Sequence, residues 1–118
     1  MGTFSVTVEV GDPQAQRFHA VQALADTGAS YTTLPASLLR DLGVTPHGQR
    51  PFLLATGGTV VREIGRTWVR IDGRVEMTIV VFADERALPL LGAVTLEEFG
   101  LGVDPVGRKL VPVPGLLT

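Results

Sequence analysis

One short stretch, Ala25-Asp26-Thr27-Gly28-Ala29-Ser30, places a carboxylate, a hydroxyl and a glycine at the end of an apolar run, Val21 to Ala25. These residue types suit acid–base chemistry. Neighbours tune the protonation state of a carboxyl held at a strand end in an apolar setting. The Thr27 hydroxyl can both donate and accept, which lets it fix a loop. Gly28 allows the backbone to turn sharply and to approach a substrate or a second chain closely. A single carboxylate is half of a useful arrangement: two of them about 3 Å apart cannot both ionise, so they share a proton and act as acid and base on one water. The remaining aspartates, Asp12, Asp41, Asp72, Asp84 and Asp104, all lie outside a Ser/Thr-Gly context. The second member of a pair is therefore expected to be Asp26 of another copy, set face to face by an isologous C2 interface.

The elements that must position this stretch are legible in order. Phe4, Val6, Val8 and Val10 alternate with Ser5, Thr7 and Glu9, the period of a half-buried strand. A turn cluster, Gly11 to Gln14, precedes extended structure from Arg17 to Ala25, so the first two strands are expected to form a hairpin that delivers Asp26 at its end. Tyr31 to Leu34 predicts a short strand. Pro35 to Leu42 predicts a brief helix, with Pro35 in its first turn and Gly43 as its stop. Thr45 to Pro51 reads as a polar loop. Phe52 to Ala55 and Thr59 to Val61 flank Thr56-Gly57-Gly58, a tight hairpin turn. Extended structure then runs to Asp72-Gly73, a second hairpin turn, and resumes through Val75 to Phe82. Leu88 to Gly92 is a short apolar strand, Ala93 to Phe99 a helical turn or two stopped by Gly100, and Leu101 to Val111 a final hairpin. The segment from Leu38 to Pro46 echoes that from Thr95 to Pro105, which points to two similar halves, with Gly28 and Gly92 as matching corners. Trp68 is expected to anchor a core or an interface, and Arg62, Arg66, Arg70 and Arg74 to share one solvated sheet face.

Composition narrows the function classes. At 118 residues the chain is expected to be one domain, 1–118, with 45% apolar and 19% charged residues, a folded balance. The net charge of -2 gives a nucleic-acid partner no electrostatic support. Without cysteine there is no disulfide, thiolate nucleophile or thiolate metal site, and His19 and His47 have no ligand spacing around them, so no metal is expected. Met1-Gly2-Thr3 leads directly into the first strand with no basic and apolar leader, and no run of about 18 apolar residues occurs, so the expectation is a cytoplasmic protein without a membrane partner.

The chain resembles a retropepsin-like aspartic protease, the single-domain, retroviral-type family with cellular and bacterial members. Three motifs carry the resemblance in order: an apolar strand into Asp26-Thr27-Gly28-Ala29, a glycine-tipped hairpin at Thr56-Gly57-Gly58-Thr59, and Leu90-Leu91-Gly92 followed by a short helix. The resemblance implies an all-β acid-protease barrel with one or two short helices. It implies a homodimer that hydrolyses peptide bonds without cofactor or covalent intermediate, the two Asp26 carboxylates activating one water. Thr27 would bond across the dimer axis, Gly28 and Ala29 would support the loop, and Gly28 would let substrate backbone pass. Thr56, Gly57, Gly58 and Thr59 would form a mobile flap, and Leu90, Leu91 and Gly92 would pack beneath the active-site loop. Substrate would bind as an extended strand. Where retroviral members carry an acidic residue and an arginine, this chain has Ser30 and Ala93. Their N-terminal interface strand has no counterpart ahead of Thr3, so the strand from Lys109 to Val113 is the expected interface. The competing reading is a non-catalytic dimerisation or peptide-binding module of the same fold; an intact Asp26-Thr27-Gly28 favours the enzyme.

Overall fold

Turn chemistry sets most of the strand boundaries. The computed structural model describes residues 3–117; Met1-Gly2, read above as leading into the first strand, and Thr118 lie outside them. Strands β1 (Ser5–Gly11) and β2 (Phe18–Ala25) pair antiparallel in register from Ser5 opposite Leu24 to Gly11 opposite Phe18. Asp12 closes their turn, its Oδ1 accepting from the Gln16 and Arg17 N–H groups at 2.7 and 2.9 Å. Those bonds favour the charged form and hold the Asp12 carboxyl below its usual range. Strand β3 (Thr32–Pro35) leads into α1 (Ala36–Asp41), which ends at Leu42 with Gly43 at φ +83°. Pro35 is the residue that caps α1, one position before its first turn.

The segment read as a loop up to Pro51 is in part a strand. β4 (Gly48–Leu53) pairs antiparallel with β5 (Thr59–Ile71). It is the sheet's edge and exposed along Gly48 to Pro51, so no alternation marked it, and Pro51 is tolerated where a missing N–H faces solvent. β5 returns through Asp72-Gly73, both at positive φ (50° and 82°), into β6 (Arg74–Ala83), the geometry that Asp-Gly hairpin turns adopt. β7 (Leu90–Leu91), α2 (Ala93–Phe99), β8 (Leu101–Asp104) and β9 (Lys109–Pro112) complete the described chain, with Gly100 at φ +66° ending α2.

Seven strands form one sheet in the order β1-β2-β7-β3-β6-β5-β4, and a further β1–β5 pairing curls it on itself. β8 and β9 form a separate ribbon. The all-β barrel with two short helices is the architecture expected. Its centre has internal symmetry: β2 runs parallel to β7, β6 runs parallel to β3, and β3 and β7 cross antiparallel between them. Each half is then strand, loop, strand, helix. The helices match as the repeat suggested, Leu39 and Leu42 burying against Leu34 and Val80 while Leu96 and Phe99 bury against Val8 and Leu91. The corners do not match as expected: Gly92 caps α2 as Pro35 caps α1, so Pro35 is its counterpart and Gly28 is not.

The arginine face is also revised. Arg74 lies across the turn on β6, and Ile64 and Trp68 interrupt the other three on β5. Arg62 pairs with Asp84 and Arg70 with Glu9, whose carboxyl this guanidinium holds below its usual range. Trp68 is half-buried, its indole N–H donating to the Pro13 carbonyl at 3.0 Å. No helix among the described residues is long and apolar enough to cross a membrane.

Candidate active site

β2 is buried at Ala25, and the chain leaves it at Asp26, which is half-buried, before the exposed Thr27 and Gly28. The loop is pinned at once. The Asp26 N–H donates to the Leu91 carbonyl at 3.0 Å, and Ala29 N–H to the Asp26 carbonyl at 3.1 Å. Asp26 Oδ1 accepts from the Gly28 N–H at 2.9 Å, which orients the carboxylate by its own loop. A Cβ at position 28 would sit 3.1 Å from that same oxygen.

From the other side the loop is held by α2. This helix begins at Gly92 without a side-chain cap, leaving N–H groups that need acceptors. The Ala29 and Ser30 carbonyls supply them, accepting from Ala93 and Val94 at 2.8 and 3.0 Å. The Asp26 stretch therefore caps the helix, and the helix fixes the stretch. Leu90 and Leu91 lie alongside Leu24 and Ala25, beneath the loop. Gly92 is required by close approach, since a Cβ there would meet the Tyr31 carbonyl carbon at 2.5 Å and the Thr32 nitrogen at 2.9 Å.

The β4–β5 hairpin stands on the other side of a cleft of about 440 Å³. At its tip Leu54 N–H donates to the Gly58 carbonyl at 2.7 Å and Gly57 N–H to the Leu54 carbonyl at 2.9 Å. Gly57 has φ +101°, and Thr56, Gly57, Gly58 and Thr59 are all exposed. The cleft is walled by Gly28, Ala29 and Ser30 on one side, by Leu53 and Leu54 of the hairpin on the other, and floored by Val81 and Leu90. Gly28 and Ala29 are thus brought to the same cleft as the hairpin, whereas Thr56 to Thr59 lie at its outer tip and do not line it.

Several lining residues escaped the sequence reading. Tyr31 and Phe52 pack edge-on across the cleft, centroids 5.9 Å apart, and the Arg50 guanidinium lies over the Tyr31 ring and donates to its hydroxyl. An aromatic residue directly after the glycine loop was the available signal for Tyr31. Arg62 and Asp84, 3.3 Å apart at the rim, had none, because only the fold brings them together. The neighbouring Glu85 ties this wall to α1, accepting from the Ser37 N–H and hydroxyl at 3.0 and 2.5 Å. The hydroxyl bond, then the backbone bond, hold its carboxyl below the ordinary range. Among the described residues no cluster of three or more His, Asp or Glu could hold a metal ion.

Three of the other aspartates are committed elsewhere: Asp12 and Asp104 close turns through their carboxylates, and Asp84 pairs with Arg62; Asp72 sits in the β5–β6 turn. Asp26 and Thr27 themselves do not line this cleft; the half-buried Asp26 carboxylate, two residues before Gly28, is a group able to take or give a proton.

Comparison with known proteins agrees with this geometry. The aspartyl protease family model matches residues 6–103. The fold is similar to the solution structure of Simian Foamy Virus (mac) protease, at 17% identity and a TM-score of 0.57 over 80% of this chain and 92% of that one. It is also similar to the crystal structure of a retropepsin-like aspartic protease from Rickettsia conorii, at 22% identity and a TM-score of 0.52 over 87% of this chain and 85% of that one. No curated protein matches the sequence. With the family model spanning the chain from β1 to β8 and a retropepsin-like arrangement of strands around the Asp26 loop, the chain belongs to the aspartyl protease family.

Proposed function

We propose that the protein is a homodimeric aspartic endopeptidase in which two Asp26 carboxylates, one per subunit, activate a single water. The observation that carries this reading is the Asp26 loop, a carboxylate oriented by the Gly28 N–H and held between β7 and α2, with the following Gly28 and Ala29 lining an apolar cleft. Its exposed neighbours Thr27 and Gly28 suit a contact with a second copy. In the dimer, Thr27 of each subunit braces the opposite loop, and the two carboxyls share one proton. The ionised carboxylate takes a proton from the water as its oxygen bonds to the scissile carbonyl carbon. The protonated one donates to the carbonyl oxygen, giving a tetrahedral diol. Proton transfer to the amide nitrogen and breakage of the C–N bond then release an acid and an amine.

The β4–β5 hairpin acts as the flap, its Thr56–Thr59 tip closing over a peptide bound as an extended strand. Exposed Leu53 and Leu54, at 77% and 46% accessibility, would be covered by that peptide. For the interface, β9 is paired only with β8 among the described residues, and Val113, Leu116 and Leu117 beyond it are exposed apolar residues available to a second copy.

The test is digestion of a diverse peptide mixture at about pH 4–6. Wild type should cleave, with a bell-shaped pH profile and inhibition by pepstatin. Asp26→Asn, which replaces both carboxylates of the dimer, should lose about 10³-fold or more. Equal cleavage by both proteins, or no cleavage together with no pepstatin binding, would overturn the enzyme and leave a peptide-binding module. Sedimentation should show a dimer at micromolar concentration, alone or with inhibitor.

A further inference from the structure

Beneath the Asp26 loop three threonine hydroxyls meet in an otherwise apolar core. Thr32 begins β3, Thr78 lies in β6 and Thr95 is in the first turn of α2; their exposures are 1%, 0% and 0%. Thr95 Oγ1 is 2.6 Å from Thr32 Oγ1 and 2.7 Å from Thr78 Oγ1. Thr32 Oγ1 also accepts from the Gly92 N–H at 3.1 Å.

Packing does not require these hydroxyls, because valine has nearly the same shape. Burying a hydroxyl costs free energy that its hydrogen bond roughly offsets, so three threonines add little net stability over three valines. What they add is direction. Hydrogen bonds of this geometry fix angles and distances that apolar contacts leave soft. The segment they fix is the first turn of α2, whose Ala93 and Val94 N–H groups hold the Ala29 and Ser30 carbonyls. Gly92 beside it lies against Tyr31 with no room for adjustment.

We propose that Thr95, joined to Thr32 and Thr78, is a positioning residue that sets the Asp26 loop through the first turn of α2. Thr95 touches neither substrate nor the reacting atoms. It fixes where the loop carbonyls stand, and so where the two carboxylates meet. The kinetic part of this inference rests on the endopeptidase reading; the structural part does not.

Thr95→Val removes both hydroxyl links while keeping the side-chain shape. Amide hydrogen exchange is read at Asp26, Gly92, Ala93 and Val94, whose N–H groups donate to the Leu91 carbonyl, the Thr32 hydroxyl and the Ala29 and Ser30 carbonyls. Exchange there should quicken about tenfold, the order expected for losing one or two buried bonds, while Val8 and Val21 in the β1–β2 hairpin stay unchanged. In wild type that cleaves peptide, kcat should fall about tenfold with KM within about twofold, and Thr95→Ser should restore both exchange and kcat. The double variant Thr78→Val, Thr95→Val keeps the Thr32 hydroxyl that accepts from the Gly92 N–H and is the version to read if the single variant does not fold; it should show the same local exchange. Unchanged exchange at the four amides, or a rise shared equally by the hairpin, overturns the proposal. So does failure of serine to rescue. If wild type cleaves nothing, the endopeptidase reading fails by itself and the exchange pattern still decides the role of Thr95.

Discussion

The two glycine-bearing walls of the cleft are built on opposite principles. On the Asp26 side every connection is made twice, by loop to helix and by strand to strand, and the glycine at its base, Gly92, has backbone at 2.5 Å from where a Cβ would stand. On the hairpin side two backbone bonds close the tip, and neither Gly57 nor Gly58 has any atom within 4 Å of its notional Cβ. One wall uses glycine because there is no space, the other because of a dihedral angle. In the proposed enzyme, rigidity would serve the wall that holds the carboxylate and freedom the hairpin that admits peptide.

That contrast can be broken or sharpened by substitution. Gly92→Ala should have the largest effect. Main-chain atoms must move to admit the methyl, which costs about 1–3 kcal/mol as overpacking does, and peptidase activity should fall further than the melting temperature because the displaced atoms belong to Tyr31 and Thr32 beside the loop. Activity equal to wild type would show that the loop is not set from this side. Gly57→Ala comes next. Its φ of +101° costs an L-residue about 1–2 kcal/mol, but the tip opens locally, so exchange at the Leu54 amide should quicken while the melting temperature hardly moves.

Glu85→Gln should be smaller still and dependent on pH. Bonded to Ser37, the Glu85 carboxyl lies lower in the folded than in the unfolded chain. Its stabilisation is therefore present above the unfolded carboxylate range and is lost as pH falls through the folded value. The variant should melt below wild type at neutral pH, with the gap closing in acid; a gap independent of pH would remove Glu85 from the account. Gly58→Ala should do least, within about 0.5 kcal/mol of wild type, having open space and no positive φ.

Sequence and fold agree wherever a local rule decides. Asp72-Gly73 and the stops at Gly43 and Gly100 could be read because each needs a positive φ that its own residue type favours. The Asp26 loop could be read because its three residue types are contiguous. Gly48–Pro51 could not, since an exposed edge strand carries no hydrophobic alternation. In β6, Val75 and Met77 are partly exposed, while every residue from Thr78 to Ala83 is buried, because both faces become covered as the strand enters the centre of the sheet. Thr32, Thr78 and Thr95 are ordinary residues in separate elements; their one hint is a polar side chain inside otherwise apolar runs. Arg62 and Asp84 share no local pattern at all.

The contacts that hold the Asp26 loop also join distant parts of the chain: Gly92 to Thr32 spans 60 residues and Thr95 to Thr32 spans 63. Closing such long segments is slow compared with forming the hairpins β1–β2 and β5–β6. During synthesis the segment carrying Asp26 leaves the ribosome well before the strand and helix that complete its site, and vectorial folding cannot finish the site until they emerge. A growing chain therefore carries the aspartate but not its geometry. The Asp26 loop thus reaches its final geometry only after Gly92 and Thr95 have emerged, a delay set by topology alone.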